Sequence, residues 1–274
     1  MSSTLQNITQ ACFGLSYACA LGWELARLRW PRRGIRLAGL AFGVAGFIAQ
    51  SLFLAFHHPT LSTPYGSLLA VAWVLAIFYL YGTVHHGTQA WAVFVLPVIL
   101  GLVGLAMLSP QDTSSDPGLP SWLIGDRFWG AVHGFLLLLA AVGISVGFLA
   151  SVMYLIQANR LKNKTNPLSR MRLLSLERLE AMNRRAVFSA FPLLSAGLLL
   201  GAVLLKQEHE PIENWLSLKV LGTAGLWLVF GVLLYLRYAA HVPGRRLALL
   251  TMAAFALLVV TLVASHPFAA EVAR

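Results

Sequence analysis

The sequence contains few charged residues, and this scarcity excludes most classes of soluble protein. Asp, Glu, Lys and Arg make up only 11% of the 274 positions, whereas they make up about 25% of soluble domains. Hydrophobic residues account for 58% and occur in long runs. The composition therefore predicts a polytopic integral membrane protein.

Cysteine is also scarce, because the chain contains only Cys12 and Cys19. Seven residues apart on one helix, they share a face but lie about 10 Å apart, which is too far for a disulfide. The sequence has no CxxC or CxxCH motif and no cysteine cluster that would hold a metal. We expect both cysteines to be small buried residues of a helix core.

Motifs of enzyme chemistry are missing as well. The sequence has no glycine-rich phosphate loop, no HExxH pair and no Ser–His–Asp signature. Glu24, near the end of the first apolar run, is best explained as the ion-pair partner of Arg27 or Arg29. We therefore predict no catalytic residues.

Eight apolar segments, separated by loops, are long enough to cross a bilayer. They run over residues 8–26, 36–56, 65–84, 90–108, 128–157, 186–205, 218–238 and 246–265. The predicted fold is an all-α bundle of about eight transmembrane helices that forms a single membrane domain over residues 1–274. Between spans 5 and 6, residues 173–185 carry apolar side chains at a three-residue step, which favours a short helix lying on the membrane.

The net charge of +10 is explained by membrane topology and not by a nucleic-acid surface. Sixteen of the 20 Lys and Arg residues lie in or beside the loops after spans 1, 5 and 7. The positive-inside rule places these loops in the cytoplasm and both termini outside. Residues 1–10 contain no Lys or Arg, so the first span is expected to be a retained helix and not a signal peptide.

Two histidines, His133 and His266, are predicted at the outer ends of spans that run in opposite directions. His133 follows the charged, aromatic start of span 5, and His266 follows the end of span 8. Two imidazoles at one membrane depth can hold a haem iron from both axial sides. A histidine at a helix mouth is also commonly an interfacial residue that reaches water, so the residues alone leave both interpretations open. The histidine doublets at 57–58 and 85–86 are expected to be solvated or to lie at helix ends.

Several apolar motifs follow one another in an order that is typical of a known family. PYGSLLAVAWVLAIFYL at 64–80 precedes span 5 with its outer histidine, and LSLERLEAMNRRAV then leads into FPLLSAGLLLGAVLL. Trp227 follows Lys219 by eight residues. Over about residues 60–266 the chain resembles the cytochrome c assembly protein family of the CcsA/CcmC type, and above all its short HemX/YpjD-like branch.

The resemblance implies a protein that handles a b-type haem at the outer face of the membrane during cytochrome c assembly. By motif position, His133 and His266 correspond to the family's two external haem-iron ligands. Tryptophans beside them are expected to stack on the haem, and cations at the mouth to pair with its propionates. The expected haem-binding residues are His133, His266, Trp129, Trp215, Lys219 and Arg127.

One departure limits what the resemblance implies. The family's haem lyases carry a tryptophan-rich outer loop, but KQEHEPIENWLSLK at 206–219 retains only Trp215 and Lys219, so haem-lyase activity is not expected. The resemblance implies a multi-pass protein of the bacterial cytoplasmic (inner) membrane. Its expected partners are membrane lipid, haem and other cytochrome c assembly proteins, but not nucleic acid. The alternative is a membrane scaffold or regulator of tetrapyrrole (haem) biosynthesis, which acts through its basic cytoplasmic loop at 160–185 without catalysis.

Overall fold

The computed structural model describes residues 10–57, 59, 63–85, 91–109, 126–162, 174–207, 218–240 and 242–264, and this part of the chain is helical without any strand. The helices are α1 Gln10–Arg29, α2 Arg33–His57, α3 Pro64–His85, α4 Ala92–Leu108, α5 Asp126–Lys162, α6 Leu176–Gln207, α7 Leu218–Tyr238 and α8 Gly244–Ala264. Each helix overlaps one predicted apolar span, so the all-α prediction is confirmed.

Six helices, α2, α3 and α5 to α8, are long and apolar enough to cross a membrane. The chain is therefore an integral, multi-pass membrane protein. Helix α4 is apolar but has only 17 residues, and α1, which contains Glu24, Arg27 and Arg29, lies outside the group of six. That α1 and α4 also cross the membrane, and that both termini lie outside, stay predictions.

Helix α6 begins at Leu176, well before the predicted start of the span at residue 186. The Ser175 hydroxyl oxygen accepts a hydrogen bond from the Arg178 backbone N–H (3.4 Å), as an N-cap residue does. The expectation of a separate surface helix is therefore wrong from residue 176 onward. Leu179 and Asn183 are buried, and this burial holds the segment in one helix with the span that follows.

The chain divides into two compact units, and that residues 1–274 form one membrane domain stays a prediction. Unit 1 contains α1 to α4 and the end of α5. Two of its buried polar side chains bond across helices: the Tyr17 hydroxyl donates to Gln50 Oε1 (2.8 Å), and Gln50 Nε2 donates to the Leu69 carbonyl (3.1 Å). Because a polar group in an apolar interior is costly without a partner, these bonds fix how α1, α2 and α3 face one another.

Helix α1 has a buried face, which carries Glu24, and an exposed face, which carries Cys12 and Cys19. Glu24 is only 1% exposed and lies 3.2 Å from Arg27 Nη1, which confirms that this carboxylate pairs with Arg27. Cys12 and Cys19 are both exposed, so the expectation that they are core residues is wrong. They lie on the face of α1 that no described helix covers, and a small apolar residue suits a lipid-facing surface as well as a core.

Unit 2 contains α5 up to residue 156 together with α6, α7 and α8. Helices α5 and α6 run antiparallel and approach closely, because a Cβ at Gly143 would lie 3.1 Å from the Ala190 Cβ. Small residues permit such close packing in membranes. The Asn183 amide donates to Gly147 O (3.1 Å), Ser151 Oγ (2.8 Å) and Thr251 Oγ1 (3.3 Å), and thereby joins α5, α6 and α8.

Candidate functional site

His133 lies at the end of the second turn of α5, where its ring reaches the backbone of α6. The Nδ1 atom is 2.7 Å from the Gly197 carbonyl oxygen. A carbonyl only accepts hydrogen bonds, so Nδ1 donates here, and in the neutral imidazole Nε2 then carries the lone pair. The contact therefore selects the tautomer in which Nε2 can act as a metal ligand.

A shallow notch on α6 receives the imidazole. A Cβ at Gly201 would lie 2.7 Å from His133 Cε1, and a Cβ at Gly197 would lie 2.7 Å from Leu137 Cδ2. His133 and Leu137 are four residues apart on α5, and Gly197 and Gly201 are four apart on α6. Two consecutive turns of α5 thus fit against two glycines of α6, which fixes the orientation of the His133 ring.

Sequence reasoning did not identify Gly197 and Gly201, although a signal was present. They form a GxxxG pair within an apolar segment, a pattern that indicates close helix approach in membranes. The pattern does not say which helix approaches, so the link to His133 required the structure.

The other expected haem-binding residues are described only in part. Trp129 is 53% exposed and precedes His133 by four residues, so both lie on one face of α5. Arg127 and Lys219 occupy the first turns of α5 and α7, but their side chains lie outside the described part of the structure. His266 and Trp215 lie outside the described residues altogether. Their roles at the site stay predictions.

The register between α5 and α8 shows which positions share a depth. Gly147 of α5 faces Thr251 of α8, because a Cβ at Gly147 would lie 3.2 Å from the Thr251 Cγ2. The two helices run antiparallel with equal rise per residue. Thirteen residues before Gly147 is Gly134, and thirteen residues after Thr251 is Ala264, the last described residue of α8. The C-terminal end of α8 is therefore roughly level with His133.

The remaining described histidines make aromatic contacts at helix ends. The His57 ring stacks on Phe53 with centroids 4.3 Å apart, and the His85 ring stacks on Tyr81 at 4.2 Å. Among the described residues no group of three or more His, Cys, Asp or Glu side chains could hold a metal ion. An axial haem site needs only one nitrogen on each side of the iron, and His133 Nε2 can supply one of them.

Comparison with known proteins identifies relatives over most of the chain. Residues 61–266 match the family described as Cytochrome C assembly protein. The Cytochrome c biogenesis protein CcsA of Thermosynechococcus vestitus is 24% identical, over 83% of this chain and 82% of that protein. Protein HemX of Bacillus subtilis is 24% identical, over 78% of this chain and 76% of that protein. The Cytochrome c biogenesis protein CcsA of Guillardia theta is 26% identical, over 71% of this chain and 69% of that protein. No solved structure gives a significant match.

Proposed function

This chain belongs to the cytochrome c assembly protein family, and we propose that it acts in cytochrome c assembly by holding a b-type haem at the outer face of the membrane. In this proposal His133 and His266 would hold the haem iron. The observation that carries the proposal is the 2.7 Å contact between His133 Nδ1 and the Gly197 carbonyl. Histidines that bind metal typically donate their second ring N–H to a carbonyl or carboxylate, which fixes the ring and the tautomer.

The environment of His133 fits a planar macrocycle. The glycine notch holds one edge of the imidazole against α6, and Trp129, one turn earlier on α5, presents an exposed indole on the same face. Exposed aromatic and apolar groups at a helix mouth can pack on a porphyrin and exclude water from it. Arg127 and Lys219 are proposed to pair with the propionates, because a cation at the membrane boundary stabilises a carboxylate.

The second ligand is supported by register. Ala264 ends the described part of α8 roughly level with Gly134, and His266 follows it by two residues. His133 of α5 and a histidine in the segment after α8 would then both be at a depth to hold the haem iron. Bound haem supplies the iron and its redox chemistry. The chain supplies the ligands, the orientation of His133 and the apolar wall, and we assign it no catalytic residue.

The proposal is tested by the absorption spectrum of the purified full-length protein, titrated with haem in detergent. We expect a Soret band that is shifted or lost in His133→Ala and in His266→Ala. His85→Ala is the matched control, because that ring stacks on Tyr81 in unit 1 and has no proposed part in the site. Spectra of both ligand variants identical to wild type would contradict the proposed ligation.

The same purified protein distinguishes the alternative function from haem binding. A scaffold or regulator of tetrapyrrole biosynthesis would act through its basic loop at 160–185 and would need no haem. A wild-type protein without a Soret band, together with a partner that is lost when the loop charges are reversed, would favour that function. The location in a bacterial inner membrane, with the basic loops in the cytoplasm, is part of the proposal and is checked by reporter fusions to the loops.

A further inference from the structure

A polar pocket lies in unit 2 at the end opposite His133. Four helices line it, with Ser151 and Tyr154 from α5, Glu180 and Asn183 from α6, Arg237 from α7 and Gly244 from α8. We call it the four-helix pocket. Its enclosed part has room for about one water molecule, so any larger ligand would occupy its open mouth.

Three side chains of the four-helix pocket offer hydrogen-bonding groups to its mouth. Within the described residues, the Tyr154 hydroxyl, the Glu180 carboxylate and the Arg237 guanidinium make no hydrogen bond or ion pair, although Glu180 and Arg237 attract each other electrostatically. Asn183 instead directs its amide N–H groups inward to Gly147, Ser151 and Thr251. The polar groups of the inner wall thus have hydrogen-bond partners, while the mouth presents a cation, a hydroxyl and an anion.

The start of α8 adds a positive field to the same mouth. Gly244 is the first residue of α8, and the N-terminus of a helix carries a partial positive charge. A Cβ at Gly244 would lie 2.7 Å from the Tyr154 hydroxyl and 3.6 Å from Glu180 Oε2. The absence of a side chain at position 244 therefore allows the hydroxyl and the carboxylate to approach the helix terminus together.

The position of the pocket indicates what kind of ligand can reach it. Helices α7 and α8 are both long and apolar enough to cross a membrane, and α7 ends at Tyr238 where α8 begins at Gly244. Both limits fall beside the pocket, so we infer that its mouth lies at the level of the lipid headgroups. Basic pockets between membrane helices commonly bind phosphate headgroups, but a carboxylate in the mouth disfavours a purely anionic one.

We propose that the four-helix pocket binds the headgroup of an amine-bearing phospholipid. Arg237, the Tyr154 hydroxyl and the N-terminus of α8 face the phosphate, and Glu180 accepts hydrogen bonds from the primary ammonium. A guanidinium and a carboxylate that line one pocket without a direct ion pair match a phosphate and an ammonium joined by two carbons. The inference is independent of haem, because the pocket and His133 lie at opposite ends of unit 2.

Native mass spectrometry of the full-length protein in detergent tests this inference with four probes: phosphatidylethanolamine, phosphatidylcholine, phosphatidylglycerol and inorganic phosphate. Wild type is expected to retain phosphatidylethanolamine best, because the trimethylated amine of phosphatidylcholine cannot donate a hydrogen bond. Arg237→Gln should weaken retention by about tenfold, as expected for the loss of a charge-assisted contact. Glu180→Gln should abolish the preference for phosphatidylethanolamine over phosphatidylcholine.

Arg185→Gln is the matched control, because Arg185 is exposed near the same end of α6 and does not line the pocket. Tyr154→Phe removes a single oxygen, and it should weaken retention without lowering the melting temperature. Equal retention by wild type, Arg237→Gln and Arg185→Gln would overturn the assignment of the site. Equal retention of the ethanolamine and choline lipids by wild type, or displacement of lipid by inorganic phosphate, would overturn the assignment of the ligand.

Discussion

Replacing Gly201 by Ala tests whether the glycine notch positions His133. The new Cβ would lie 2.7 Å from His133 Cε1 and 3.1 Å from Nδ1, whereas carbon atoms in contact usually lie about 3.5–4.0 Å apart. The ring or the helix must therefore move by about 1 Å. The Gly197 carbonyl is 2.7 Å from Nδ1, and a shift of that size lengthens this hydrogen bond beyond its normal range.

The expected cost has two parts. The lost hydrogen bond contributes about 1 kcal/mol, and overpacking of a close helix contact contributes about 1–3 kcal/mol. Gly134→Ala is the matched control, because a Cβ at Gly134 meets nothing within 4 Å and the residue adjoins His133 on α5. Both variants gain the same helix propensity. Gly201→Ala is therefore expected to be less stable than Gly134→Ala by about 2–4 kcal/mol.

Two measurements on the purified protein separate the roles of the notch. Thermal unfolding followed by the helical circular dichroism signal measures packing, and the spectrum of the haem-titrated protein measures ligation. Gly201→Ala should lower the melting temperature and shift the Soret band relative to Gly134→Ala. Equal melting temperatures of Gly201→Ala and Gly134→Ala would refute the close contact between Gly201 and His133. A lower melting temperature with an unchanged spectrum would refute ligation through a positioned His133.

Three further predictions concern buried polar groups and are checked by thermal unfolding of the purified chain. Asn183→Ala removes three interhelical hydrogen bonds and should cost about 2–4 kcal/mol; a loss below about 0.5 kcal/mol would contradict the network. Gln50→Ala breaks the hydrogen bonds of Gln50 to α1 and α3 and should cost about 1–3 kcal/mol. An unchanged stability would contradict this prediction. Arg27→Ala leaves the buried Glu24 carboxylate without its partner and should cost about 3–5 kcal/mol. Glu24→Gln should cost less, and the opposite order would contradict the ion pair.

The helices could be predicted from the sequence, whereas the faces that pack together could not. Long apolar runs separated by polar loops located the eight helices of the described residues, and the start of span 5 placed His133 in the second turn of α5. Cys12 and Cys19 show why the prediction of faces failed. In a membrane both lipid and protein are apolar, so hydrophobicity does not reveal which side of a helix is buried. The extension of α6 to Leu176 depends on the burial of Leu179 and Asn183, which is a tertiary contact.

The sequence predicted where His133 lies along its helix but not what its ring contacts. The position of His133 near one end of a span followed from the sequence, and the family resemblance supplied His266 as its partner. The hydrogen bond to Gly197 depends on the rotation of α5 about its own axis, and the approach of α6 depends on two glycines whose partner helix the sequence does not name. Both features arise from packing between helices, which local sequence patterns do not specify.

Asn183 and Gly201 test whether the stability of the helix bundle can change without a change at the His133 site. Both lie on α6 and contact α5, but they are 18 residues, or about 27 Å, apart along the helix. Between them Gly143 contacts Ala190, and Gly147 contacts Ala186, so the register of α5 against α6 has support that does not involve Asn183. Asn183→Ala should therefore lower the melting temperature and leave the haem spectrum unchanged, whereas Gly201→Ala should change both. A shifted spectrum in Asn183→Ala would show that the notch is held by the whole length of the interface and not by the two glycines that form it.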